Sequence, residues 1–84
     1  MNSRTTRSFR EAYKVLPSNV RVRARSAYKL WRKTPDLPGL RFKRVGDSVS
    51  VRIGRAYRAL GFLEGDTVYW YWIGTHDEYD RLLR

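Results

Sequence analysis

The stretch "TVYWYWIG", residues 67–74, limits the fold more than any other part of the chain. It alternates large side chains, with Val68, Trp70 and Trp72 on one side and Tyr69, Tyr71 and Ile73 on the other. A strand with bulky groups on both sides needs cover on both faces, so it predicts the central strand of a sheet with helices packed against it. The strands before it are more one-sided. "SVSVRI" alternates Val49, Val51 and Ile53 against Ser50 and Arg52, "LRFKRV" alternates in the same way, and "RAYRALGF" continues that strand or starts the next. The turn signals are "GD" at 46–47 and "LEGD" at 63–66, and Gly54 marks a break or bulge.

Helical spacing appears before and after these strands. In "SFREAYKVLP", Ser8 and Glu11 have capping-box spacing, Phe9, Ala12, Tyr13 and Leu16 share one face, and Pro17 ends the helix. Ser18 is placed to cap a second helix, whose apolar stripe is Val20, Ala24, Ala27, Tyr28 and Trp31. The short junction predicts an antiparallel helical hairpin. At the other end, Thr75 and Glu78 repeat the capping-box spacing. This predicts a short terminal helix with His76 at its first position. Residues 3–6 suggest a weak edge strand. The expected fold is α+β: a helical hairpin packed on a three- to four-stranded antiparallel sheet, then a short C-terminal helix. Residues 1–84 read as one domain.

Composition narrows the function. Apolar residues make up 42% of the 84 residues, too many for a disordered chain. There is no cysteine and one histidine, so neither a disulfide framework nor a His/Cys metal site is expected. No apolar run approaches the roughly 20 residues of a membrane helix, and the N-terminus has no signal-peptide pattern, so the chain reads as cytosolic. The net charge of +10 is uneven. Residues 1–44 carry thirteen Lys/Arg against Glu11 and Asp36, whereas residues 45–84 carry five against six acids. Such a field favours a polyanion or an acidic protein partner.

The candidate residues follow from strand parity. If Val49, Val51 and Ile53 face the helices, then Arg41, Lys43, Ser50 and Arg52 share the open face, and Arg58 joins them from the next strand. Fixed cations on a rigid sheet hold a phosphate backbone and stabilise charge building at phosphorus. The alternatives are a solvated strand face for Arg41 and Lys43, and a structural salt bridge for Arg58. His76 projects near one end of the sheet and is a candidate acid or base; the other reading is a residue that merely starts a helix. Tyr79, one turn later, either stacks on a base or packs the terminal helix onto the sheet.

Taken in order, these stretches resemble the RelE/ParE superfamily of bacterial toxins. "SFREAYKVLP" with the Arg-rich second helix resembles the family's helical hairpin. "LPGLRFKRV" resembles the strand leading into its site. "SVSVRIGRAYRALG" is similar to the strand pair in which an "R-x-G-x-x-Y-R" pattern recurs, and "WIGTHDEYDRLL" resembles the ending of a subgroup with a histidine there. The resemblance implies a toxin neutralised by a cognate antitoxin, acidic and partly disordered. In the RelE-like branch it implies cleavage of mRNA on the ribosome by attack of the ribose 2′-hydroxyl, without a metal or other cofactor. By position, Arg58 matches the catalytic arginine, Arg52 lies near another basic position, and His76 matches the C-terminal histidine. Tyr79 falls near an aromatic that stacks on the substrate base, and Arg41 and Lys43 would hold the RNA. The ParE-like branch keeps much of this fold but inhibits DNA gyrase and cuts no RNA. A nucleic-acid-binding module without activity is a third reading.

Overall fold

A computed structural model of the chain describes residues 1–83. Along the chain come strand β1 (Asn2–Thr5), helix α1 (Arg7–Lys14), helix α2 (Ser18–Lys33), a 3-10 turn (Pro38–Leu40), strands β2 (Lys43–Val45), β3 (Ser48–Ile53), β4 (Tyr57–Glu64) and β5 (Thr67–Thr75), and helix α3 (His76–Leu82). The sheet order is β1-β5-β4-β3-β2. The fold is α+β as expected, but the sheet has five strands and is mixed. β1 runs parallel to β5, and the remaining pairs are antiparallel. β1 consists of Asn2, Ser3, Arg4 and Thr5, so its place rests on backbone pairing rather than on apolar burial.

Helix α1 does not start as the spacing suggested. Thr6 is the cap, its hydroxyl accepting from Phe9 N at 3.3 Å. Ser8 lies inside the helix and its hydroxyl donates to the Tyr71 carbonyl at 2.8 Å, while Glu11 pairs with Arg7 at 3.0 Å. Both α1 ties run to β5, since Thr6 Oγ1 also donates to the Trp70 carbonyl at 2.9 Å. Helix α2 has Pro17, not Ser18, at its N-cap and no side-chain cap bond. The two helices meet near their junction, where Tyr13 donates to the Arg21 carbonyl and Arg25 donates to the Tyr13 hydroxyl at 2.7 Å. Farther along, an apolar cleft of about 560 Å³ lies between α1, α2 and the sheet, lined by residues such as Phe9, Tyr13, Ala27 and Trp31.

The core sits between α2 and the sheet. Trp31, 1% exposed, meets Trp70 and Phe42 edge-on, at centroid separations of 5.4 and 5.5 Å. Val49, Val51, Ile53, Ala59, Val68 and Ile73 complete it.

The expected alternation of β5 holds only as far as Trp70. The β4–β5 register shifts between Leu60 and Gly61, which face Trp72 and Trp70 respectively and leave Tyr71 as the extra residue. A bulge of this kind moves the side chains beyond it to the opposite face. Ile73 therefore joins Val68 and Trp70 in the core, and Trp72 lies near Tyr79 on the other side. Gly61 makes this packing possible: a Cβ there would lie 2.7 Å from Val68 Cγ1 and 3.0 Å from the Trp70 ring.

Candidate functional site

The hairpin register builds the centre of the site. Arg52 on β3 lies directly opposite Arg58 on β4, and Arg58 is flanked on its other side by Gly74 of β5. Two cations thus face each other across a strand pair, an arrangement that weakens the sheet. The neighbour at Gly74 has no side chain to cover Arg58. Backbone carbonyls hold both guanidinium groups. Arg52 Nε donates to the Gly54 carbonyl at 2.9 Å, and Arg58 Nη1 to the Tyr57 carbonyl at 3.0 Å. Burial, then the charge of Arg52, pushes the Arg58 guanidinium below its ordinary value; Arg41 adds to this, while Tyr79 and Asp80 act in the other direction. An arginine still remains charged under such pressure. Among the described residues the ion pairs are Arg7–Glu11 and His76–Asp80, so neither Arg52 nor Arg58 is bridged to a carboxylate.

Helix α3 brings in the remaining groups. The capping box predicted from "THDE" is present. Glu78 N donates to Thr75 Oγ1 at 3.1 Å, and Glu78 Oε1 accepts from Thr75 N and Oγ1, both at 2.9 Å. The bond from the Thr75 backbone, then that from its hydroxyl, holds the Glu78 carboxyl below its usual range. His76 is the first helical residue, and its backbone N–H donates to the Ala56 carbonyl at 2.7 Å. That bond pins the start of α3 to the loop just before Arg58. His76 Nε2 lies 3.2 Å from Asp80 Oδ2, and its ring meets Tyr79 edge-on.

The expected set of residues is only partly brought together. Arg58 and His76 both meet the Tyr79 ring, and Arg52 stands opposite Arg58 by strand register. Arg41 is not a strand residue. It ends the 3-10 turn in the left-handed region at φ 46°, close enough for its charge to act on Arg58. Lys43 is exposed on the edge strand β2, opposite Ser50. Ser50 does not lie on an open face. It is 2% exposed beneath α3, where it accepts a hydrogen bond from the Tyr79 hydroxyl at 3.2 Å. Tyr79, 8% exposed, anchors α3 to the sheet, so its ring lacks the free face that base stacking needs. Of its two readings from sequence, the packing one fits this geometry. Of the three acids that follow His76 in sequence, Asp80 is the one that meets its ring, at the i,i+4 spacing of a helical pair. Among the described residues, no group of three or more His, Cys, Asp or Glu gathers to hold a metal ion.

This geometry can be set beside known proteins. No curated protein matches the chain in sequence. Among solved structures, it is similar to the RelE toxin of a Methanococcus jannaschii RelB–RelE antitoxin–toxin complex, with a TM-score of 0.72, 17% identity and coverage of 95% of this chain and 98% of that one. It is also similar to the Mycobacterium tuberculosis RelBE2 toxin–antitoxin complex, with a TM-score of 0.68, 21% identity and coverage of 89% and 96%. The isolated Escherichia coli RelE toxin aligns with a TM-score of 0.65, 12% identity and coverage of 98% and 94%. At these identities the likeness is one of fold. Family membership comes from sequence: residues 18–81 match the model of the ParE-like toxin domain, a span that includes Arg52, Arg58 and His76. The chain belongs to the ParE-like toxin domain family and is a toxin of the RelE/ParE superfamily.

Proposed function

We propose that this toxin is a ribosome-dependent endoribonuclease. The reading is carried by one observation: Arg52 and Arg58 oppose each other with no bridging carboxylate among the described residues, and a His76–Asp80 pair stands on the same side of the sheet. Such a site favours a phosphate whose negative charge grows during reaction. The 2′-hydroxyl of the substrate attacks the adjacent phosphorus, losing its proton to solvent water as the new O–P bond forms and the bond to the 5′-oxygen breaks. Arg52 and Arg58 stabilise the charge on the phosphoryl oxygens. His76 gives a proton to the departing 5′-oxygen, leaving a cyclic phosphate and a 5′-hydroxyl. Asp80 orients the His76 ring. Arg41 and Lys43 hold the flanking backbone of the mRNA.

The match to a ParE-like domain model favours a second reading, inhibition of DNA gyrase with no cleavage of RNA. On that reading His76 is dispensable. Either toxin is held in check by a cognate antitoxin, acidic and partly disordered; the Methanococcus and Mycobacterium structures are toxin–antitoxin complexes. Complementary charge on such a partner speeds its encounter with the cationic first half of the chain.

Mapping RNA 5′ ends in cells after brief induction separates the readings. Wild type is expected to give new cuts inside translated messages, in register with codons, which weaken with Arg58→Ala and with His76→Ala. Growth arrest with intact messages would overturn the nuclease reading in favour of gyrase.

A further inference from the structure

Tyr79 contacts both candidate catalytic groups. The Arg58 Cζ lies 5.9 Å from the centre of its ring, and the His76 ring meets it edge-on at 6.2 Å and 79°. Trp72 lies 6.5 Å away at a tilt of 32°. The phenol is buried, and its hydroxyl donates to Ser50 Oγ, itself 2% exposed. Burial fixes the plane of the ring, and the bond to Ser50 fixes its depth. Ser50 lies two residues before Arg52 on the same strand face, opposite Leu60.

Arg58 has need of such a neighbour. Arg52 repels it across the strand pair, and its one hydrogen bond within the described residues goes to the carbonyl of the adjacent Tyr57. A carboxylate there would hold the guanidinium in place but neutralise it. An aromatic face attracts the cation through its quadrupole and leaves both the charge and the outward N–H donors free for an anion. The same ring limits the swing of the His76 imidazole, whose far side is held by Asp80.

We propose that Tyr79 is a positioning residue that sets the Arg58 guanidinium and the His76 imidazole relative to each other, with Ser50 as its lock. Its catalytic consequence rests on the nuclease reading; the placement of Arg58 does not. The test is therefore double.

In NMR spectra of the free toxin, the Arg58 Hδ and Hε protons are expected upfield of their ordinary positions, with cross-peaks to the Tyr79 ring. Tyr79→Phe, which keeps the ring but lacks the bond to Ser50, shows both features weakened, and Tyr79→Leu loses them. In cleavage of ribosome-bound mRNA, Tyr79→Leu lowers kcat roughly 10- to 100-fold with little change in KM, whereas Tyr79→Phe stays within about threefold, because a misplaced group costs rate rather than binding. Ordinary Arg58 shifts in the wild type overturn the proposal even if Tyr79→Leu fails to fold. So does a folded Tyr79→Leu variant with unmoved Arg58 signals. Wild type that leaves ribosome-bound mRNA uncut would defeat the nuclease reading, and the Arg58 resonances would still decide the placement.

Discussion

The two faces of the sheet alternate along the same strands, yet they are built on opposite principles. The face under α2 is apolar and interlocked. Trp31, Trp70, Val51 and Ile53 leave little polar surface among them, and their burial is the main source of stability in so small a domain. The other face holds Lys43, Arg52 and Arg58 beside the buried Ser50 and Leu60, with the short helix α3 packed on it through Tyr79. Like charges face each other there, and among the described residues no carboxylate bridges the two site arginines. Cooperative burial keeps the first face in one shape. On the nuclease reading an incoming anion completes the second, whose opposed cations weaken the free protein.

This contrast predicts different mutational outcomes on the two sides. The largest effect is expected from Trp31→Ala, which empties the centre of the apolar face. A loss of about 3–5 kcal/mol in denaturant unfolding is expected, much of the total for a small domain. Gly61→Ala comes next. Its Cβ would press on Val68 and Trp70, and about 1–3 kcal/mol should be lost, with the bulge and hence Trp72 displaced.

On the charged face the effects on stability shrink while those on function grow. Thr75→Ala removes the cap of α3, costing about 1 kcal/mol. Because His76 and Tyr79 both ride on that helix, toxicity should fall more than stability.

Glu78 gives the smallest expected effect, and it depends on pH. Its folded carboxyl is held below the unfolded value, so its contribution is present above the unfolded pKa and is lost as pH falls through the folded one. The α3 backbone amides should lose protection on acidification through and below the ordinary carboxylate range. Glu78→Gln should flatten that dependence; an unchanged acid profile would show that the capping box is not what holds α3.

Much of this was legible in the sequence, but unevenly. Apolar spacing placed α2, β3 and β5. The Thr75–Glu78 pair placed α3 and its first residue, His76, because a capping box is a local interaction. The same spacing misled at Ser8 and Glu11. Thr6 was equally able to cap, and contact with the Tyr71 carbonyl, which spacing cannot reveal, decided between them. β1 gave only a faint signal, since four polar or charged residues carry no apolar period. The bulge opposite Leu60 and Gly61 was also hidden, and it reversed the expected side of Trp72 and Ile73. At the site, Arg52 and Arg58 stand out as charges interrupting apolar strands, and His76 as the one histidine, at the start of a capped helix. That Arg52 faces Arg58 follows only from the hairpin register, and the burial of Ser50 and Tyr79 follows only from where α3 lands.

The most direct test of the contrast between the faces is to measure stability and toxicity together in Arg58→Gln. Removing one of two opposed cations relieves repulsion, so the unfolding free energy should stay level or rise slightly while growth arrest on induction is lost. Added phosphate should raise the Tm of wild type more than that of the variant, because an anion that binds the folded site stabilises it. A variant that is clearly less stable than wild type but still toxic would contradict the account, because Arg58 would then be a structural residue and the charged face would not be the working one.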